Sequence, residues 1–241
     1  MKLHVRTWGN GRRTALLVHG LASDSGTWEA VAPGLVQLGY RVLAPDLRGH
    51  GRSPRGYYSP QALADDLVHT LPAGADLALG HSVGAAVLTL AAQRLAAARL
   101  VYAEPYWGIT AVPDPPAASR ANRLMAASAR QIAAQYPAWP RHAVTAEAAG
   151  RARWDPRTMT DLHTFDMPGA PPGAAVPSLV LRAGIPGVAP ELDEAALRQA
   201  GFDTATVPDA GHLIHHDQLE GFLAALRTWL GRTAGADPIP I

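Results

Sequence analysis

The chain has 241 residues, 48% of them hydrophobic, with 21 basic and 20 acidic side chains, a formal charge of +1 and no cysteine. That length and apolar content fill one sizeable core, and the lack of cysteine excludes disulfides, thiolate catalysis and thiolate metal sites. The basic residues, a single Lys among them, are scattered rather than gathered into a run, so no nucleic-acid footprint is present and a neutral or weakly charged small molecule is the expected partner.

In chain order, residues 2–8 (KLHVRTW) alternate as the edge strand of a hairpin does, and 14–19 (TALLVH) form a continuous apolar run suited to a strand covered on both faces. A helical pattern over 27–38 leads to a strand at 41–46. A helix over 60–71 follows, with Ser59 as its N-cap and Pro60 in its first position. Next come a strand at 76–80, a helix at 84–97 and a strand at 99–104. The rhythm then stops: 107–172 holds no strand-like run, only a Pro-rich entry (Pro113, Pro115, Pro116), an Ala-rich helical piece from Ala117 to Gln135 and short helical pieces from Pro137 to Trp154. Strand 178–183, helix 191–200, strand 203–208 and helix 217–230 close the pattern, and 232–241 read as a loose tail.

Such alternation predicts an α/β fold, a mostly parallel sheet with helices on both faces. The segment 107–172 reads as a small helical cap inserted before the penultimate strand, leaving 1–106 and 173–231 as the core of one structural unit. Trp107, Met125 and Trp139 are the expected substrate-binding residues of that cap, with Trp154, Met159 and Phe165 adding apolar surface. The N-terminal stretch has no apolar h-region and no run is long enough to cross a bilayer, so a cytoplasmic monomer or homodimer without membrane attachment is expected.

The strongest chemical signal is Gly80-His81-Ser82-Val83-Gly84, a G-x-S-x-G run placed between an apolar strand and an Ala-rich helix. A serine there sits on a tight strand-to-helix turn, exposed at the carboxyl edge of the sheet and beside the unpaired amides of a helix start. Its hydroxyl needs a base. His212 follows the last strand on a Gly-containing loop at the same edge, whereas His215 and His216 fall at the start of the last helix and, with Asp217, carry no second ligand cluster that would suggest a metal. His19-Gly20-Leu21 directly follows a buried strand, so the Leu21 amide can join that of Val83 as an oxyanion hole. No metal and no cofactor are expected. The run also lacks the G-x-G-x-x-G spacing of a dinucleotide site.

Four stretches, HGLASDSGTW (19–28), APDLRGHGRS (44–53), GHSVGA (80–85) and AGHLIHHDQLEGF (210–222), resemble the α/β-hydrolase fold superfamily in content and order, over nearly the whole chain. The resemblance implies that fold, a Ser-His-acid triad and a mainly structural role for Asp46, Arg48 and His50. It also exposes a gap. In most relatives the triad acid follows the strand after the cap, which here reads LVLRAGIPGV and puts Gly187 at the acid position, with Pro186, Val188 and Ala189 beside it. A histidine without its carboxylate loses the partner that fixes its tautomer and stabilises its cation. Glu104, at the tip of the strand before the cap, is the expected substitute, similar to the acid placement of certain haloalkane dehalogenases; Asp209 and Glu191 are the lesser candidates.

A serine at the elbow disfavours the superfamily's dehalogenase and epoxide hydrolase chemistries, which need a carboxylate nucleophile. The expected activity is hydrolysis of a small, largely apolar ester, lactone, thioester or amide through an acyl-enzyme on Ser82. The alternatives on the same fold are carbon-carbon bond hydrolysis, lyase or cofactor-free oxygenase chemistry, a biosynthetic acyltransferase or thioesterase, and a non-catalytic ligand receptor. Arg-rich, Lys-poor and Ala-rich usage suggests a high-GC bacterial source.

Overall fold

The computed structural model describes residues 1–109, 127–162 and 164–233. Seven strands, β1 (Val5–Trp8), β2 (Arg13–Val18), β3 (Tyr40–Pro45), β4 (Leu77–His81), β5 (Leu100–Ala103), β6 (Ser178–Ala183) and β7 (Asp203–Val207), form one sheet in the order β1-β3-β2-β4-β5-β6-β7. All neighbours are parallel except β1, which runs antiparallel along β3 at the edge. The expected hairpin is therefore corrected: β3 and β4 occupy both sides of β2, and β1 finds its free ladder on β3.

The continuous apolar runs follow from burial on both faces. Along β2, Leu16 and Val18 join one core with Leu63, Val87, Leu88, Tyr102 and Val180. Ala15 and Leu17 point the other way into a second core with Trp28, Leu35, Leu181, Phe222 and Trp229. Helices α1 (Ala32–Gln37), α2 (Pro60–Thr70) and α3 (Val83–Leu95) precede the cap. The Ser59 hydroxyl accepts from Ala62 N and Pro60 opens α2, as the sequence predicts. The segment 27–38 is not one helix. A 3₁₀ turn at Ser25–Trp28, capped by the Asp24 side chain, ends before α1, because Pro33 has no amide to continue the ladder.

Between β5 and β6 lie α4 (Ala129–Gln135), α5 (Arg141–Arg153) and α6 (Arg157–Leu162); residues 117–126 of the Ala-rich piece, Met125 among them, are outside the described residues. Helix α5 crosses the 3₁₀ turn closely enough that a Cβ on Gly150 would stand 3.0 Å from Ser23 Cα. Arg153 pairs with Asp24 beside this crossing, and farther along Tyr58 donates to Asp155 at 2.7 Å while Asp155 N donates to Gly49 O at 2.7 Å. The helical segment between β5 and β6 is thus fastened to two loops at the carboxyl edge. After β6 comes α7 (Glu194–Gln199), which starts later than 191 because Asp193 caps it through Ala196 N. The last helical stretch divides at Gln218 into α8 (Ile214–Asp217) and α9 (Leu219–Thr233). Among the described residues, no helix is long and apolar enough to cross a membrane.

Packing is very close where α3 meets the end of β2: a Cβ on Gly84 would stand 2.2 Å from His19 O and 2.5 Å from Val18 O. Both obstacles are backbone and cannot yield like a side chain. Gly84→Ala should lose about 3 kcal/mol or more of unfolding free energy in chemical denaturation. Gly231→Ala, where nothing lies within 4 Å in helix α9, should stay within about 1 kcal/mol of wild type, on the stabilising side.

Candidate active site

Ser82 stands between β4 and α3 with φ 54° and ψ −122°. The turn is possible because Gly80 carries no side chain; a Cβ there would meet Ala85 Cα at 2.6 Å. Four of the five described non-glycine residues with positive φ, Ala22, Ser82, Glu104 and Asp209, lie in loops at the carboxyl edge. An L side chain in this region strains the backbone by roughly 1–3 kcal/mol.

The structure brings Ser82, His212 and Glu104 together. Ser82 Oγ lies 2.9 Å from His212 Nε2, and His212 Nδ1 lies 3.3 Å from Glu104 Oε2. A carboxylate accepts only, so Nδ1 carries the proton and Nε2 presents its lone pair to the hydroxyl. The other carboxylate oxygen, Oε1, accepts from Ala183 N at 2.6 Å, and Glu104 N donates to Leu181 O at 2.8 Å. Asp209 and Glu191 are exposed and do not take part. Gly187 is nonetheless close to the histidine: a Cβ there would stand 4.0 Å from His212 Cβ.

Leu21 and Val83 both line the cavity above Ser82. Val83 heads α3, where first-turn amides have no intrahelical acceptor, and a Cβ on Gly20 would stand 3.1 Å from Ser82 Cβ. The 44–53 stretch holds this loop in place. Asp46 accepts from Ser25 N and Arg52 N at 2.8 Å each, Arg48 grips Asp66 through two nitrogens, and His50 takes Ala22 N at 3.2 Å. His19 donates to Gly20 O at 2.7 Å and accepts from Leu47 N at 2.9 Å.

Behind His212 lies a cluster of buried imidazoles. His81 Nε2 donates to the His212 carbonyl at 2.8 Å. The Thr27 hydroxyl bonds both His215 Nε2, at 2.8 Å, and His216 Nε2, at 2.9 Å. Burial drives the pKa of His81 and His215 well below the usual histidine value, that of His216 to about 4 and that of His50 to about 3, because an imidazolium has lost its water there.

The cavity over Ser82 has a volume of about 370 Å³. Of the expected apolar residues, Met159 and Phe165 line it. Trp107 does not: its Nε1 donates to Thr89 Oγ1 at 2.9 Å and its ring packs on Tyr102 in the core. Trp139 does not either, because it stacks on Tyr136 with ring centres 4.1 Å apart and donates to Asp217 at 2.6 Å. The two rings serve as packing and anchoring elements, while Tyr106, Ile109, Leu162, Met167 and Val188 supply the wall. Sequence reasoning also misses Glu147 and Arg151 of α5, which line the cavity as an i,i+4 pair with Arg151 Nε 3.0 Å from Glu147 Oε1. Such spacing reads as an exposed helical pair, yet Glu147 is buried, and loss of water raises its pKa.

The model of the alpha/beta hydrolase family matches residues 15–225. N-formylmaleamate deformylase of Pseudomonas putida is 30% identical, over 95% of this chain and 93% of its own. Among solved structures, a thermophilic esterase from Thermogutta terrifontis, with malate bound, superposes with a TM-score of 0.73 at 25% identity, covering 95% of this chain and 93% of that one. N-formylmaleamic acid deformylase from Pseudomonas putida S16 gives 0.72 at 24% identity, covering 93% and 95%. The chain belongs to the alpha/beta hydrolase family and is an enzyme of that fold.

The buried imidazoles set the acid limb of stability. Their folded pKa values are depressed, so above pH 6.5 both states leave them neutral and no proton-linked loss arises. As pH falls below 6.5 the unfolded chain takes up protons that the folded one refuses, until His216 titrates at about 4 and His50 at about 3. Each such group removes up to about 1.4 kcal/mol per pH unit in that window. Melting curves should therefore show a steep fall in Tm between pH 6.5 and 5, above the range where ordinary carboxylates titrate. A flat Tm across that interval would contradict the neutral cluster.

Proposed function

We propose that this alpha/beta hydrolase cleaves a small, largely apolar ester, thioester, lactone or N-acyl amide through an acyl-enzyme on Ser82. The observation that carries this reading is the continuous contact Ser82 Oγ to His212 Nε2 and His212 Nδ1 to Glu104, at 2.9 and 3.3 Å. His212 Nε2 takes the hydroxyl proton as Ser82 attacks the carbonyl, and Glu104 stabilises the resulting imidazolium. The amides of Leu21 and Val83 hold the oxyanion, each donor worth about 3 kcal/mol in the transition state. The tetrahedral intermediate collapses, the leaving group takes the proton from His212, and water repeats the sequence on the acyl-enzyme.

Acyl transfer to water is supported by a hydroxyl rather than a carboxylate at the elbow, and by an esterase among the structural neighbours. Inclusion of amides is favoured by the deformylase that matches over nearly the full chain. In this reading Glu104 is the triad acid, displaced from the tip of β6 to the tip of β5.

A panel of p-nitrophenyl esters and N-acyl amides tests both the reaction and the acid. Ser82→Ala and His212→Ala should abolish turnover above background; turnover unchanged in Ser82→Ala rejects the acyl-enzyme. Glu104→Gln should lower kcat by about 10³–10⁴, since an amide nitrogen opposite Nδ1 favours the wrong tautomer. Gly187→Asp in the Glu104→Gln background should regain part of that loss, because position 187 faces His212. A harmless Glu104→Gln would move the acid elsewhere.

A further inference from the structure

We infer that Asp217 is a positioning residue for His212, and that it acts by tying the loop of this histidine to the helical segment between β5 and β6. The inference rests on the hydrolase reading above. Asp217 closes α8, the short helix that follows His212, and holds the chain on both sides of the base. Its Oδ2 accepts from Gly211 N at 2.9 Å, and its own backbone N–H donates to Leu213 O at 2.9 Å. One residue therefore fixes both neighbours of His212 in sequence. Glu104 and His81 bond His212 itself, whereas Asp217 fixes the backbone that carries it.

The other carboxylate oxygen reaches away from the loop. Oδ1 accepts from Trp139 Nε1 at 2.6 Å. Trp139 is buried between α4 and α5 and stacks on Tyr136 with ring centres 4.1 Å apart. Leu213 packs on the same apolar cluster, built on Ile132, Trp139 and Ala143. The residue before His212 is thus linked to this segment by way of Asp217, and the residue after it by apolar contact.

Two kinds of effect can follow from a change at Trp139, because Tyr136 and Leu213 also line the cavity. An altered wall raises KM, and more so for longer acyl groups. A displaced base lowers kcat at every length, since acylation and deacylation both draw on His212. The chemistry of the tie adds a second distinction. A carboxylate offers an acceptor to each of its two donors, and neither a backbone N–H nor an indole N–H can accept in return. A carboxamide at this position satisfies one donor and opposes the other.

The test measures kcat and KM for p-nitrophenyl acetate, butyrate and octanoate, per active site titrated with a fluorophosphonate. Trp139→Phe keeps a ring against Tyr136 but loses the N–H; it should lower kcat about tenfold at every length and leave KM within about twofold. Asp217→Asn should lower kcat further. Adding Trp139→Phe to it should restore part of that loss, because the carboxamide oxygen then turns to Gly211 N without opposing an indole; two merely destabilising changes would add instead. Tyr58→Phe loosens the same segment at its bond to Asp155 and should leave kcat unchanged. The inference is overturned by an unchanged kcat in Trp139→Phe, by an effect confined to KM, by an equal loss in Tyr58→Phe, or by a double variant worse than Asp217→Asn. If no ester turns over, the acyl-enzyme reading has failed and hydrogen exchange decides the positioning. A Gly211 amide exchanging at least about tenfold faster in Trp139→Phe than in wild type keeps the tie, and equal rates overturn it.

Discussion

The Glu104 carboxylate has to cross a strand. It stands at the tip of β5, its histidine follows β7, and β6 lies between them in the sheet. The carboxylate spans this gap by placing one oxygen on the backbone amide of Ala183, at the end of β6, and the other against His212 Nδ1. Much of the local design follows from that reach. The acid is a Glu, one methylene longer than Asp, and the β6 tip beneath it is a Gly-Pro turn instead of an acid-bearing loop. At Gly184 a Cβ would stand 3.0 Å from Pro208 Cα, so the β6 tip and the loop leading to His212 close tightly on each other. Val188, on the same tip, becomes part of the cavity wall.

The histidine is constrained from behind as well as from the side. His81, the neighbour of Ser82 in sequence, holds the His212 carbonyl, so the elbow that presents the hydroxyl also fixes the loop that presents the base. His215 and His216 fill the space between that loop and the 3₁₀ turn, and Thr27 joins them. Trp28 stacks on His215 with ring centres 4.7 Å apart. Neutral imidazoles serve here as compact, polar core residues, and the same 3₁₀ turn supports α5 of the cap through the gap left at Gly150.

The legible parts of the site are those whose geometry is local. Gly80 to Gly84 sit within one strand-to-helix turn, and His212 is marked by its place after the last strand, so both can be read from spacing. Glu104 is legible only through the resemblance to the α/β-hydrolase superfamily, which implies an acid after β6 or after β5, and β6 is followed by no carboxylate before Glu191. The cavity wall is not legible in the same way. Which face of a cap helix turns inward depends on contacts with loops distant in sequence, so Trp107 and Trp139, the obvious candidates by size, turn to Thr89 and Asp217 instead. Glu147 and Arg151 look solvated in a helix rich in Ala and Arg, yet α5 packs closely against Ser23 and both side chains are largely covered. Secondary structure shows the same division: Ser59 and Pro60 announce α2, whereas the pairing of β1 with β3 depends on which ladders other strands have already filled.

The strained dihedrals at Ser82 and Glu104 tie the molecule's robustness to its chemistry. Glycine would occupy either backbone conformation without penalty, and each position instead holds the hydroxyl or the carboxyl on which the proposed reaction depends. Selection for heat resistance alone would drift toward glycine at 82 and 104, yielding a sturdier protein with nothing to react. Laboratory evolution of this scaffold therefore has to screen for turnover at every round, and gains in hardiness are best sought far from the sheet's carboxyl rim.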